Sequence, residues 1–205
     1  MVWRIAACVV VGYLLGGVNG AILISHVLMK DDVRSKGSGN AGLTNYLRNY
    51  GGWATFLVAA IDVAKTVAAC LIGLWLLPTD PALGKMIAGT AAQMGHIFPA
   101  FYKFHGGKGI VCAGALALMM DWRISLIVFG VFFLAYFTTH YVSLGSILAA
   151  VCYAVFFPVF YYDRLPIALL GVWVALLALF MHRSNIVRLL RGQESKTYLR
   201  KSQRK

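Results

Sequence analysis

The chain has 205 residues, of which 60% are hydrophobic, and its mean hydropathy is +0.74. This apolar fraction exceeds that of ordinary soluble domains, so the composition excludes a soluble protein and predicts an integral membrane protein. Charged residues make up only 13% of the chain, yet Lys and Arg outnumber Asp and Glu by 19 to 7, which gives a net charge of +12. The positive charge must therefore be concentrated in a few polar segments.

Long apolar runs separated by short polar breaks predict seven transmembrane helices. They cover residues 5–29, 53–77, 84–99, 110–120, 124–139, 145–162 and 165–182. The fourth would be roughly 16 Å long, too short to cross a hydrocarbon core of about 30 Å without its flanking residues. The first run is longer than the apolar core of a signal peptide, so we expect it to be retained. The predicted fold is an all-α, polytopic membrane helix bundle.

The cationic residues predict how the bundle is oriented. Most of the 19 Lys and Arg residues fall on the set of connecting segments that includes the C-terminus. By the positive-inside rule this side is cytoplasmic, and an odd number of spans then places the N-terminus outside. We expect one membrane domain over residues 1–192 and a basic cytoplasmic tail over residues 193–205, solvated against anionic lipid headgroups.

The four cysteines, Cys8, Cys70, Cys112 and Cys152, all lie within apolar runs and have no CxxC spacing. We interpret them as small packing residues rather than as disulfide partners or metal ligands.

Three polar stretches interrupt the apolar background, and the predicted topology places all of them on one face of the membrane. They are SKGSGNAGLTNYLRNYGG at residues 35–52, GHIFPAFYKFHGGKGI at residues 95–110 and HRSNIVRLLRGQE at residues 182–194. One site built from three loops is the simplest interpretation.

In the first stretch, Gly37, Gly39 and Gly42 permit positive φ angles, so successive backbone N–H groups could form a nest for an anion. A helix that begins near Gly42 would add its N-terminal N–H groups and place Thr44 and Arg48 on one face. Neutral hydrogen-bonding side chains come from Ser38, Asn40, Thr44 and Asn45. These features indicate a phosphate ligand. GSGNAG also matches the dinucleotide fingerprint GxGxxG, but membrane helices flank it where that fingerprint requires a strand.

In the second stretch, Lys108 lies among Gly106, Gly107 and Gly109, which leave its ammonium accessible to a phosphate. The alternative is a cation that only satisfies the positive-inside rule. GGKG also resembles the end of an NTPase phosphate-binding loop, but Gly109 stands where that loop needs Ser or Thr. His96 fits a capping or interfacial role better than a catalytic one.

In the third stretch, His182 and Asn185 share a helical face, and at membrane depth both side chains need partners. Glu194 is the only glutamate in the chain, and we expect it to neutralise an arginine. Outside the three stretches, Asp62 and Lys65 have i, i+3 spacing within one apolar run and are expected to form an ion pair.

The three stretches resemble, in the same order, the three motifs of the bacterial acyl-phosphate:glycerol-3-phosphate acyltransferase family. The resemblance covers nearly the whole chain. It implies a seven-helix enzyme of the bacterial inner (plasma) membrane with its active site on the cytoplasmic side. The implied reaction moves a fatty acyl group from acyl phosphate to the 1-hydroxyl of sn-glycerol 3-phosphate. The products would be 1-acyl-sn-glycerol 3-phosphate (lysophosphatidic acid) and phosphate, the first acylation of phospholipid biosynthesis.

The resemblance also implies roles for individual residues. The acyl-phosphate pocket would contain Gly37, Ser38, Gly39, Asn40, Gly42, Thr44 and Asn45. Glycerol 3-phosphate would be bound by Arg48, Lys108, Ser143, His182 and Asn185. Catalysis would depend on Ser38, Arg48, Lys108, His182 and Asn185, and structural roles would fall to Gly106, Gly107, Gly109 and Glu194. The expected partners are the two substrates and the lipid bilayer; no metal, cofactor or nucleic acid is expected.

Glu194 is the only carboxylate in the three motifs, so our hypothesis is that a substrate phosphate, with a second pKa of about 6, accepts the hydroxyl proton. The alternative function is a membrane transporter for a phosphorylated solute. A transporter predicts ionisable residues near the middle of several helices and symmetry between two halves of the chain. Asp62 and Lys65 are the only clear residues of that kind, and the sequence shows no internal symmetry.

Overall fold

The structure is a computed structural model that describes residues 1–198, and all its regular elements in that range are helices. The α-helices are α1 (Val2–Gly17), α2 (Gly20–Met29), α3 (Leu43–Asn49), α4 (Ala54–Leu76), α5 (Pro81–Ile97), α6 (Ile110–Met120), α7 (Trp122–Thr139), α8 (Val142–Phe160), α9 (Leu165–Met181) and α10 (Arg183–Leu190). Short 3₁₀ turns lie at Val33–Ser35 and Ala100–Tyr102. The all-α prediction is confirmed.

Four helical segments in the described range are long and apolar enough to cross a membrane: Val2–Met29, Ala54–Leu76, Trp122–Thr139 and Val142–Phe160. Helices α9 and α10 add a fifth if this pair, which bends by 55°, is counted as one span. Helix α6 covers residues 110–120, as predicted, and is the short helix of the bundle's interior. The chain therefore has the helices of a multi-pass membrane protein, and the count of seven spans stays a prediction.

The first predicted helix is broken at Val18 and Asn19, so residues 5–29 do not form one continuous helix. The Asn19 side chain accepts a hydrogen bond from Ile22 N at 3.0 Å and caps α2. Its amide nitrogen donates to the Ala41 carbonyl, also at 3.0 Å. The side chain of Asn19 therefore competes with the helical backbone and fixes the break.

Helix α4 supplies partners for the backbone groups that this break leaves free. Lys65 Nζ donates to the Val18 carbonyl at 2.7 Å, and Gly20 N donates to Asp62 Oδ1 at 3.2 Å. Free backbone groups at membrane depth must be satisfied by protein, because little water is available there. The break in the first helix is thus stabilised by the two ionisable residues of α4.

The helices pack in two groups that are joined by α6 and by a direct contact between α5 and α9. Helix α1 packs against α4 and α5, α8 packs against α7 and α9, and α6 contacts members of both groups. Small residues allow α1 and α5 to approach closely, since a Cβ on Gly95 would overlap the Tyr13 carbonyl oxygen. All four cysteines are free, and three are fully buried, which agrees with their interpretation as packing residues.

The close approach of α1 and α5 predicts the effect of one added methyl group. Gly95→Ala should lower the stability of the protein by about 1 to 3 kcal/mol, because the α5 backbone would have to move away from Tyr13. Gly130→Ala is the matched control, since nothing lies within 4 Å of a Cβ at that exposed helical position. The measurement is the thermal unfolding midpoint in detergent. Equal midpoints for the two variants would contradict the packing described here.

Candidate active site

The three polar stretches meet at one cavity of about 120 Å³. The predicted site residues that line it are Ser38, Asn40, Gly42, Thr44, Asn45, Arg48, Lys108, Gly109, Ser143, His182, Asn185 and Glu194. Four predicted glycines, Gly37, Gly39, Gly106 and Gly107, are not part of its lining and shape the loops behind it. The structure therefore brings together side chains that are up to about 150 residues apart in the sequence.

The first loop is held by Asn45. Gly37 and Gly39 have φ angles of +57° and +69°, the left-handed region that glycine tolerates. Asn45 Oδ1 accepts a hydrogen bond from Ser38 N, and Asn45 Nδ2 donates to the Val33 and Lys36 carbonyls, all three at 3.0 Å. Both amide hydrogens of Asn45 are thus engaged within the protein.

These bonds correct two predictions. Asn45 does not offer a free donor to an anion, because it is occupied in fixing the loop. The predicted nest of backbone N–H groups is also closed in part, since Ser38 N binds Asn45 and Gly39 N binds the Lys36 carbonyl at 3.0 Å. The hydroxyls of Ser38 and Thr44 remain as neutral donors on this side of the cavity. The predicted helix start is confirmed, because α3 begins at Leu43.

The second loop joins the first through backbone hydrogen bonds and lies directly on His96. Ala41 N donates to the Gly106 carbonyl at 3.2 Å, and Gly107 N donates to the His96 carbonyl at 3.1 Å. A Cβ on Gly107 would overlap His96 Nε2, and a Cβ on Gly106 would overlap the His96 carbonyl. Both glycines are therefore required for this contact, and it presents Lys108 to the cavity.

His96 belongs to a buried cluster with Asp62 and Lys65. Lys65 Nζ lies 2.7 Å from Asp62 Oδ1 and 2.9 Å from His96 Nδ1, and all three side chains are at most 4% exposed. The predicted ion pair between Asp62 and Lys65 is confirmed. The interfacial role predicted for His96 is wrong, because the last turn of α5 lies inside the bundle. There the ion pair provides polar partners for the imidazole ring.

Asp62 and His96 also line the cavity, although neither was predicted to belong to the site. The available signal was the ion-pair spacing of Asp62 and Lys65 inside an apolar helix, since intramembrane ionisable residues are usually functional.

The third stretch forms a chain of polar contacts with Lys108. Lys108 Nζ donates to Asn185 Oδ1, Asn185 Nδ2 donates to Glu194 Oε1 at 2.9 Å, and Arg188 Nε donates to Glu194 Oε2 at 2.7 Å. Glu194 thus neutralises an arginine of its own stretch, as predicted. His182 Nδ1 lies 2.8 Å from the Ala178 carbonyl, so Nδ1 is the protonated nitrogen and Nε2 can accept a hydrogen bond when the ring is neutral.

Burial and neighbouring charges alter the acidity of the groups at this site. Burial lowers the pKa of Lys108 to about 8; Glu194 opposes this shift, and the cations Arg188 and Arg48 add to it. Burial likewise lowers the pKa of Arg48. The pKa of Glu194 is also lowered: burial acts against this, but hydrogen bonds from Arg188 and Asn185 outweigh it. The cavity is therefore a cationic environment that an anion would stabilise.

The residues that follow Glu194 are also in contact with the site. We expected this part of the tail to be solvated, but Thr197 is only 3% exposed. Arg48 donates through Nε to Thr197 Oγ1 at 2.9 Å and through Nη2 to the Ser195 carbonyl at 2.7 Å. Ser143, at the start of α8, is buried and also lines the cavity.

A second cavity, of about 290 Å³, adjoins the first and is almost entirely apolar. It lies among α6, α7, α8 and α9, with side chains such as Phe129, Tyr153 and Val174 in its walls. The residues that line both cavities are Leu43, Ile110, Val111 and Phe132. A ligand with a phosphate group and an apolar chain could therefore occupy both cavities at once.

Comparisons with known proteins identify relatives of this chain. The family model described as glycerol-3-phosphate acyltransferase matches residues 6–192. A glycerol-3-phosphate acyltransferase of Thermoanaerobacter pseudethanolicus is 41% identical over 187 residues, which are 91% of this chain and 92% of that protein.

Two crystal structures of PlsY (YgiH), described as an integral membrane glycerol 3-phosphate acyltransferase, have a similar fold. The glycerol 3-phosphate form matches with a TM-score of 0.85 at 30% identity, and the lysophosphatidic acid form with a TM-score of 0.81 at 28% identity. Each match covers 95% of this chain and 96% of the other.

The buried cluster predicts a large effect for a change of one atom. Asp62→Asn should lower the free energy of unfolding by about 3 to 5 kcal/mol, because it leaves the Lys65 ammonium buried without a counter-ion. Asp121→Asn is the matched control: Asp121 pairs with Arg123, which is half exposed, and Asn also caps helices well. Chemical unfolding in detergent measures both variants. A loss of stability at Asp62 no greater than at Asp121 would contradict the structural role of the cluster.

Proposed function

Because the chain belongs to the glycerol-3-phosphate acyltransferase family, we propose that it transfers a fatty acyl group from acyl phosphate to the 1-hydroxyl of sn-glycerol 3-phosphate. The products are 1-acyl-sn-glycerol 3-phosphate and inorganic phosphate. The observation that carries this proposal is the cationic cavity that adjoins an apolar one, since Leu43, Ile110, Val111 and Phe132 line both. This arrangement suits a donor that is an anion at one end and a hydrocarbon chain at the other.

The acceptor, glycerol 3-phosphate, binds on the side of Lys108 and Arg48. An ammonium and a guanidinium together suit a phosphate dianion, because each makes charge-assisted hydrogen bonds to its oxygens. His182 Nε2, Asn185 and Ser143 supply neutral partners for the glycerol hydroxyls. The relative PlsY, whose structure includes a glycerol 3-phosphate form, supports this acceptor.

The donor phosphate binds on the side of the first loop, where the Ser38 and Thr44 hydroxyls and the Asn40 amide face the cavity. Its acyl chain extends into the apolar cavity among α6, α7, α8 and α9. Asn45 serves this site indirectly by holding the loop in shape. A lysophosphatidic acid form of PlsY supports a site in which an acyl chain lies next to glycerol phosphate.

Acyl phosphate is a mixed anhydride, so its phosphate is already a good leaving group. The 1-hydroxyl oxygen attacks the acyl carbon, the bond from that carbon to the phosphate oxygen breaks, and inorganic phosphate departs. The protein contributes positioning and stabilisation of negative charge by Lys108 and Arg48.

A substrate phosphate accepts the proton of the 1-hydroxyl. Both Glu194 oxygens are already engaged by Asn185 and Arg188, and Asp62 is paired with Lys65. A phosphate whose second pKa is about 6 is a sufficient base for this step near neutral pH.

The distribution of cations supports the orientation that the sequence predicts. In this topology seven spans place the N-terminus outside and the C-terminus in the cytoplasm, with a membrane domain over residues 1–192 and the basic segment after it. The active site then faces the cytoplasmic side of the bacterial inner membrane, where a water-soluble acceptor and a membrane-dissolved donor can both reach it.

An assay of the purified protein in detergent tests the donor. Labelled glycerol 3-phosphate is offered with acyl phosphate, acyl-CoA or acyl carrier protein thioester, and lysophosphatidic acid is measured. We expect product with acyl phosphate alone. Turnover only with a thioester would reject the proposed donor. No product with any donor would reject the enzyme and favour the transporter, which uptake of glycerol 3-phosphate into proteoliposomes would then reveal.

The lowered pKa of Lys108 predicts how acceptor binding depends on pH. Lys108 is cationic below its pKa of about 8, and a phosphate is a dianion above its second pKa of about 6. The affinity for glycerol 3-phosphate should therefore be highest between about pH 6 and pH 8. Above about pH 8 it should fall by up to about tenfold per pH unit. Titration calorimetry measures the affinity without requiring turnover. Lys108→Arg stays charged, so the fall should disappear from this range; the same fall in both proteins would contradict the assignment.

A further inference from the structure

We propose that the C-terminal strap, residues Ser195–Tyr198, is part of the active site and that Thr197 is a positioning residue for Arg48. The strap lies beyond residue 192, where the match to the family model ends. The inference rests on the proposed function, because the role it gives Thr197 is to orient a cation that binds glycerol 3-phosphate.

The strap holds one edge of the Arg48 guanidinium. Thr197 Oγ1 accepts from Nε at 2.9 Å, and the Ser195 carbonyl accepts from Nη2 at 2.7 Å. A free arginine side chain samples many rotamers, and two hydrogen bonds on adjacent nitrogens select one of them. Both acceptors are neutral, so they orient Arg48 without cancelling the charge that a phosphate requires.

Thr197 is itself fixed by contacts that do not involve Arg48. Its backbone N–H donates to the His140 carbonyl at 2.9 Å, and its carbonyl accepts from the Tyr136 hydroxyl at 3.1 Å. Both partners lie at the C-terminal end of α7. The Thr197 hydroxyl is therefore held in place before Arg48 binds it, which is the arrangement that preorganises a binding group.

The two ends of the strap are anchored as well. Glu194, the residue before it, is buried and bonded to Asn185 and Arg188. At the other end the Tyr198 ring packs on His140, with their ring centres 4.8 Å apart. The strap thus connects the third motif to α7 and reaches the first motif through Arg48, so it closes one side of the site.

An alternative is that the strap competes with phosphate for Arg48 and inhibits the enzyme. The anchors on α7 argue against it, because the strap would keep its position when a phosphate is absent or present. The two alternatives predict opposite changes in the affinity for glycerol 3-phosphate when the strap is removed.

Steady-state kinetics with acyl phosphate and glycerol 3-phosphate test the role of Thr197. Thr197→Val keeps the shape of the side chain but removes the acceptor, and should raise KM for glycerol 3-phosphate about tenfold. We expect KM for acyl phosphate to stay within about twofold, since the donor phosphate binds on the other side of the cavity. The fall in kcat should be smaller than the rise in KM for glycerol 3-phosphate, although Arg48 also stabilises charge during the reaction. Thr197→Ser restores the hydroxyl and should restore KM.

Thr138→Val is the matched control, because the Thr138 hydroxyl is exposed and binds only carbonyls of its own helix. Wild-type KM in Thr197→Val, equal defects in the Val and Ser variants, or a lowered KM would each overturn the proposal.

Two truncations test the strap as a whole. A stop after Glu194 removes the strap and should raise KM at least as much as Thr197→Val. A stop after Tyr198 keeps it and should leave KM unchanged. Equal effects of the two truncations would contradict the proposal. If the shorter chain does not fold, the Val and Ser variants at position 197 still decide the outcome.

Chemical labelling of Arg48 separates this inference from the proposed function. Phenylglyoxal reacts with accessible arginines, and peptide mass spectrometry measures the rate at Arg48 without any turnover. Thr197→Val should speed the labelling of Arg48, whereas Thr138→Val should not. Faster labelling in a protein that forms no lysophosphatidic acid would support the strap and reject the enzyme. An unchanged labelling rate in an active enzyme would reject the strap alone.

Discussion

The ion pair between Asp62 and Lys65 is the interaction on which the rest of the site depends. It supplies hydrogen-bond partners for the Val18 carbonyl and the Gly20 N–H, on the two sides of the break in the first membrane helix. Lys65 of the pair is also within hydrogen-bond distance of His96. His96 in turn supports the glycine loop that presents Lys108. A buried charge is costly unless it is fully paired and hydrogen-bonded, so the positions of three chain segments are fixed together.

The length of the apolar runs was sufficient to predict the helices α4 to α9, including the unusually short α6, because run length and turn residues are local properties. The pairing of Asp62 with Lys65 was also predictable from spacing alone. The break at Asn19 was not, since its cause is a hydrogen bond to Ala41, a residue in a later loop. For the same reason the nest of amides in the first loop was overestimated: Asn45 satisfies Ser38 N, and spacing alone does not show this contact.

Neutral groups hold Lys108 and Arg48, whereas the carboxylate of Glu194 pairs with Arg188. Lys108 donates to the amide oxygen of Asn185, and Arg48 donates to a hydroxyl and a carbonyl. Glu194 reaches Lys108 only through Asn185. The two cations are therefore oriented by hydrogen bonds yet keep their charge, which is the state in which a phosphate binds most strongly. The proposed chemistry needs this combination, because it depends on positioning and charge rather than on a protein base.

The uncompensated charge of Lys108 and Arg48 also affects how the site empties. Orthophosphate, the by-product of the proposed reaction, has the same ionic group as both substrates, and the apolar cavity does nothing to discriminate against it. A pocket that attracts the reactants through this group therefore retains orthophosphate as well. Turnover would slow as orthophosphate accumulates, and the enzyme would be subject to product inhibition by the simplest ligand that fits its cations.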